Sequence, residues 1–171
     1  MPCLLCGSAA AARKRVSRRN SLKKILWLAV ASTAVFVLCS AVRGKIISYF
    51  SPYRAYPFWG RLLQIRLVFN RGTAFGFWQQ REELVITLAV LCSLALGIWL
   101  VRKSREMQIW ELLSFSFIFG GALANLWERV FLGYVVDYLD LGFWPVFNLA
   151  DSFITLGCVF LIAGHFFSKK Q

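Results

Sequence analysis

Four long apolar runs fix most of what this chain can become: 25–42, 84–101, 109–131 and 148–167. Each is close to the roughly 20 residues that a helix needs to cross a bilayer core. In lipid every backbone polar group must be satisfied within its own segment, so such runs are helices. The expected architecture is an all-α membrane protein of four transmembrane helices. Composition closes the soluble alternative. With 58% hydrophobic and 16% charged residues, the chain has too little charge for a water-facing surface. The net charge of +12 would suit nucleic acid. However, Lys and Arg flank the apolar runs and form no aromatic-interleaved face, which excludes nucleic acid as a partner. Membrane lipid is the partner that this distribution fits.

The runs divide the chain into a basic tail, 1–24, expected to be disordered and cytoplasmic, and one membrane domain, 25–168. A basic start before an apolar run also describes a signal peptide. Here the run is long for that purpose and no small-x-small site ends it, so it reads as an uncleaved first span closed by Arg43-Gly44-Lys45. Cys3 and Cys6 lie in the tail with no second ligand pair, and His165 is the only histidine, so no metal site is expected. Between the first two spans, Tyr49, Phe50, Tyr53, Tyr56, Phe58 and Trp59 suit a membrane interface. Ile65, Leu67 and Phe69 alternate with Gln64, Arg66 and Asn70, which is a strand period. A small extramembrane β element is expected over about 48–78, ending in the glycine-bearing turn Asn70-Arg71-Gly72-Thr73-Ala74-Phe75-Gly76-Phe77. Residues 133–146 are read as a short loop. Four spans place both termini on one side. The basic tail, Arg102–Arg105 and Lys169–Lys170 mark that side as cytoplasmic. The first loop and the loop before the fourth span then share the outer face.

Asp137 and Asp151 stand at the ends of apolar runs, where carboxylates are expensive and point to function. Two carboxylates that share one proton can hydrolyse a peptide: the ionised one activates water and the protonated one polarises the carbonyl. The same two residues could instead be interfacial helix-end groups satisfied by solvent or by Arg129. Asn125 is costly to bury without a partner, which makes it a site residue or an interhelical hydrogen-bonder. Asn70-Arg71-Gly72 is a turn or part of a binding site. Asn148 is placed to be the N-cap of the fourth span, with Asp151 at its N3 position in the positive end of the helix dipole. That position predicts Asp151 as the base and Asp137 as the proton holder. A non-catalytic scaffold or proton-coupled carrier is the competing function. A carrier would place its acids near the middle of the spans.

Order, chemistry and spacing together resemble the bacterial lipoprotein signal peptidases (signal peptidase II). That family's pattern is N-x-G-x-A-F-G, then G-N-x-x-D-R, V-V-D-F and F-N-x-A-D. It is matched here by Asn70, Gly72, Ala74, Phe75 and Gly76; by Asn125 and Arg129; by Val135, Val136 and Asp137; and by Phe147, Asn148, Ala150 and Asp151. The resemblance covers roughly residues 25–168. It implies an aspartyl endopeptidase with Asp137 and Asp151 as the catalytic dyad. Asn70, Gly72, Asn125, Glu128, Arg129, Asn148 and Ala150 would be supporting or substrate-binding residues. It further implies four spans with a small β-cradle, no metal or other cofactor, cleavage of lipidated prolipoproteins just before a diacylglyceryl-cysteine, and inhibition by globomycin. The implied location is the bacterial inner membrane, with the active site at the periplasmic face. The chain departs from the pattern at Ala124 for Gly, Glu128 for Asp and Tyr138 for Phe. Ala41 also stands four residues before Lys45, where the family carries Asp.

Overall fold

The computed structural model describes residues 4–52, 54–60, 62–72 and 82–168, with side chains described from 20 to 167 within those stretches, Glu82 excepted. The expectations at Tyr53, Thr73–Phe77, Lys169, Lys170 and Cys3 lie outside the described residues. Four helices and three strands follow in the order α1 (Leu4–Tyr49), β1 (Ala55–Trp59), β2 (Leu63–Asn70), α2 (Glu82–Lys103), α3 (Ile109–Leu132), β3 (Val135–Asp140) and α4 (Leu149–Ser168). All four helices contain stretches long and apolar enough to cross a membrane: Asn20–Tyr49, Glu83–Lys103, Ile109–Leu132 and Leu149–Phe167. Large side chains such as Leu94, Ile98, Val159, Phe160 and Ile162 are exposed on them, as lipid-facing residues are.

Two expectations change here. The basic segment is not an unstructured tail, because α1 is continuous from Leu4. Nor does Arg43-Gly44-Lys45 end the first helix, which runs on to Tyr49. Nothing in 1–49 breaks a helix apart from Pro2, and charge alone does not. At the other end of the bundle, Lys24 Nζ donates to the carbonyls of Arg105 and Met107 at 3.0 and 2.7 Å, and Arg105 Nε donates to Ser21 Oγ at 2.8 Å. These bonds tie α1 to the connection between α2 and α3.

Helix α3 is the central element, and small residues set its distances. A Cβ on Gly120 would lie 2.6 Å from the Ser32 carbonyl oxygen of α1. A Cβ on Gly121 would lie 2.6 Å from the Ala150 carbonyl oxygen of α4. Adjacent glycines thus let α3 touch two helices through backbone, the close approach that membrane helices use in place of hydrophobic drive.

Strand β2 pairs antiparallel with β1 on one side and with β3 on the other. The third strand lies in what the sequence suggested was a loop. Its burial is nearly continuous, so the alternation that announces a strand is missing. Ile65, Leu67, Val136 and Tyr138 pack on one face with Val42 and Ile46 from the end of α1 and with Phe50 just after it. The sheet therefore sits on one end of the bundle. The α1–α2 and α3–α4 connections both contribute to it, so these two loops do share a face.

Candidate active site

Asp137 lies on β3, opposite Val68 of β2, and points to the side away from Val136 and Tyr138. Gly133, in the left-handed conformation at φ 79°, ends α3 and turns the chain into this strand. Asp151 lies in the first turn of α4. A cavity of about 780 Å³ opens between the sheet, α3 and the start of α4, and both aspartates line it together with Asn70, Asn125 and Arg129. Neither aspartate is near the middle of a span, where the carrier alternative needs them.

Three asparagines join the two carboxylates. Asn70 Nδ2 donates to Asp137 Oδ2 at 2.9 Å, and Asn148 Nδ2 donates to Asp137 Oδ1 at 2.9 Å. Asn125 Nδ2 donates to Asp151 Oδ1 at 2.8 Å. Asn148 Nδ2 also donates to Asn125 Oδ1 at 3.0 Å. The amide orientations are anchored by backbone N–H groups, which cannot flip. Gly72 N–H donates to Asn70 Oδ1 and Asp151 N–H donates to Asn148 Oδ1, both at 3.0 Å. Each anchored oxygen turns its amide nitrogen toward a carboxylate or toward the next amide. Asn148 N–H donates in return to Asp151 Oδ2 at 3.2 Å, which completes a reciprocal cap of α4. The N-cap reading of Asn148 and the N3 reading of Asp151 match this geometry.

Asp137 is 4% exposed. Burial pushes its carboxyl up from 3.8 to about 6, and the Asp151 charge adds to the rise. The Asn70 and Asn148 amides and the Arg129 charge oppose it. Arg129 makes no direct ion pair with either aspartate among the described residues. Its Nη1 and Nη2 donate to the carbonyls of Asn125 and Gly72, each at 3.4 Å.

The other expected residues are placed differently. Gly72 contributes backbone, through its N–H to Asn70 and its carbonyl to Arg129. Ala150 is buried against Gly121 and serves helix packing. Glu128 is buried outside the cavity lining, pairing with Arg43 Nη1 at 3.4 Å and accepting the Val136 N–H at 2.8 Å. In the sequence Arg43 stands only as a span terminus. Its partner lies 85 positions away, and no local pattern announces it. Arg66, Trp144 and Thr155 also line the cavity without any sequence signal. Among the described residues, no group of three His, Cys, Asp or Glu side chains could hold a metal ion.

The family model of "Signal peptidase (SPase) II" matches residues 31–167. The chain is 36% identical over 157 residues to a lipoprotein signal peptidase of Aeromonas hydrophila, covering 85% of this chain and 90% of that one. It is 34% identical over 157 residues to a lipoprotein signal peptidase of Pseudomonas aeruginosa, covering 85% and 89%. The fold is similar to that of a bacterial membrane enzyme solved by the in meso method at 2.3 Å resolution. The TM-score is 0.73 at 22% identity, over 83% of this chain and 88% of that one.

Proposed function

Because this chain belongs to the signal peptidase II family, and so removes signal peptides from lipoprotein precursors in a bacterial membrane, we propose that it does so as an aspartyl endopeptidase with Asp137 and Asp151 as its catalytic pair. The observation that carries this reading is the asparagine-linked pair of carboxylates on one cavity wall.

The environments divide the labour. Asp151 sits at the N-terminus of α4 in a reciprocal cap, a setting that stabilises an anion. Asp137 is buried and raised toward neutrality, a setting that keeps a proton. Asp151 takes a proton from a water molecule whose oxygen attacks the scissile carbonyl carbon. Asp137 gives its proton to the carbonyl oxygen. The resulting gem-diol collapses, the C–N bond breaks, the departing nitrogen takes the proton from Asp151, and Asp137 recovers one from the gem-diol. The pair ends as it began.

The substrate is a prolipoprotein, cut just before its diacylglyceryl-modified cysteine. A cavity at the end of the bundle, rimmed by exposed apolar residues such as Trp144 and Phe69, suits a scissile bond held beside acyl chains. Globomycin-type inhibitors would compete for the same cavity. The enzyme works in the inner membrane with the cavity at the periplasmic face and both termini in the cytoplasm, in keeping with the basic residues of the opposite end, Lys23, Lys24, Arg102, Lys103 and Arg105. Incubation of the purified protein with a diacylated prolipoprotein peptide tests the reading. Mass spectrometry should find one new N-terminus, at the lipidated cysteine; intact peptide or a cut elsewhere would overturn it.

A further inference from the structure

Asp137 is flanked by two residues whose side chains point away from the cavity, Val136 and Tyr138. Each is tied to a different helix. Glu128 Oε2 of α3 accepts the Val136 N–H at 2.8 Å, and Glu128 Oε1 pairs with Arg43 Nη1 of α1 at 3.4 Å. Glu128 is 7% exposed. A carboxylate that buried is kept by its partners, and here the partners are one strand and one helix. On the other side, the Tyr138 hydroxyl accepts the Leu149 N–H at 3.2 Å. Leu149 is the first residue of α4, and its N–H has no partner within the helix. Burial pushes the Tyr138 phenol up to about 12, so the hydroxyl stays neutral at working pH.

We propose that Arg43, Glu128 and Tyr138 form a clamp that fixes the β3 backbone around Asp137, and so sets the place of Asp137 relative to Asp151. They are positioning residues for the reaction, and the proposal rests on the reading of the two aspartates as the catalytic pair. The asparagines orient the Asp137 carboxyl, whereas the clamp holds the main chain that carries it. The Glu128 carboxylate and the Tyr138 oxygen both accept from backbone N–H groups next to the site.

The charged groups facing Asp137 are Asp151 from α4 and Arg129 from α3. Arg66 of β2 and Arg71 just after it line the same cavity. A loosened strand admits water to Asp137, which then gives up its proton at lower pH. A defect in packing alone would lower the rate equally at every pH.

The test uses the full chain in detergent with a diacylated peptide substrate. Tyr138→Phe deletes one oxygen, and Glu128→Gln keeps an acceptor for Val136 while removing the charge that faces Arg43. For each variant, kcat should fall about tenfold with KM within about twofold. The alkaline limb of kcat should move down by about half a pH unit. Wild-type kcat, or a lowered kcat with an unmoved alkaline limb, would overturn the clamp. If Glu128→Gln is not recovered folded, Tyr138→Phe alone decides. Turnover by Asp137→Asn would instead overturn the catalytic pair itself, so the two failures are distinguishable.

Discussion

Replacing Asn148 with alanine should lower kcat/KM about tenfold, with most of the loss in kcat. The side chain makes three bonds: Nδ2 to Asp137 Oδ1, Nδ2 to Asn125 Oδ1, and Oδ1 from the Asp151 N–H. All three disappear in the variant. The backbone N–H of residue 148 remains available to Asp151 Oδ2. Loss of an asparagine N-cap costs about 1 kcal/mol of helix stability. Asn125 also loses the donor that fixes its amide, so its bond to Asp151 Oδ1 weakens. A hydrogen bond to a charged group contributes about 1.5–3 kcal/mol, and half of that is about 1 kcal/mol. With part of the cap energy added, the linked pair loses about 1.4 kcal/mol of support, which is about tenfold in rate. The loss falls on kcat, because the bonds removed hold the reacting groups in place rather than the substrate. The assay is steady-state kinetics with a fluorogenic diacylated peptide, which separates kcat from KM. A raised KM with wild-type kcat would refute the cap argument and leave Asn148 as a substrate contact.

Two further outcomes are expected. Asp137 has a folded value of about 6 against an ordinary value of 3.8, so the fold binds that proton more tightly. Its contribution to stability is therefore complete below 3.8 and lost as pH rises to about 6. In thermal melts the wild-type midpoint should fall across that window relative to Asp137→Ala, and a difference that is constant with pH would contradict the burial argument. For the substrate, each buried CH₂ of an acyl chain contributes about 0.8 kcal/mol. A diacylated peptide should therefore exceed its unlipidated twin in kcat/KM by about 100-fold or more, and equal values would refute recognition through the lipid.

The membrane fold was legible because its signal is local. Apolar length is written run by run, and the four runs became α1 to α4 within a few residues at most ends. The candidate site was legible as a set of motifs, whose three asparagines each donate to one of the two aspartates. What the sequence hid was non-local or lacked a period. Strand β3 is buried on both faces, so Val135–Asp140 shows no alternation. The ion pair of Arg43 with Glu128 joins residues on two helices, and each side chain alone resembles an interfacial charge. The helical path of residues 4–24 was hidden by charge, which suggests solvent but does not forbid a helix. Glu128 and Ala150, expected as supporting or substrate-binding residues, lie behind the cavity wall, Glu128 on the Val136 N–H and Ala150 against Gly121.

The central claim is that one proton shared between Asp137 and Asp151 performs the cleavage. Its most direct test is single-turnover cleavage of a diacylated prolipoprotein peptide by Asp137→Asn and by Asp151→Asn, each purified and shown to melt cooperatively in detergent. Either substitution removes one half of the acid–base exchange, so each variant should show no product on the timescale at which the wild-type enzyme converts all of its substrate. Near-wild-type product formation by either variant would contradict the account.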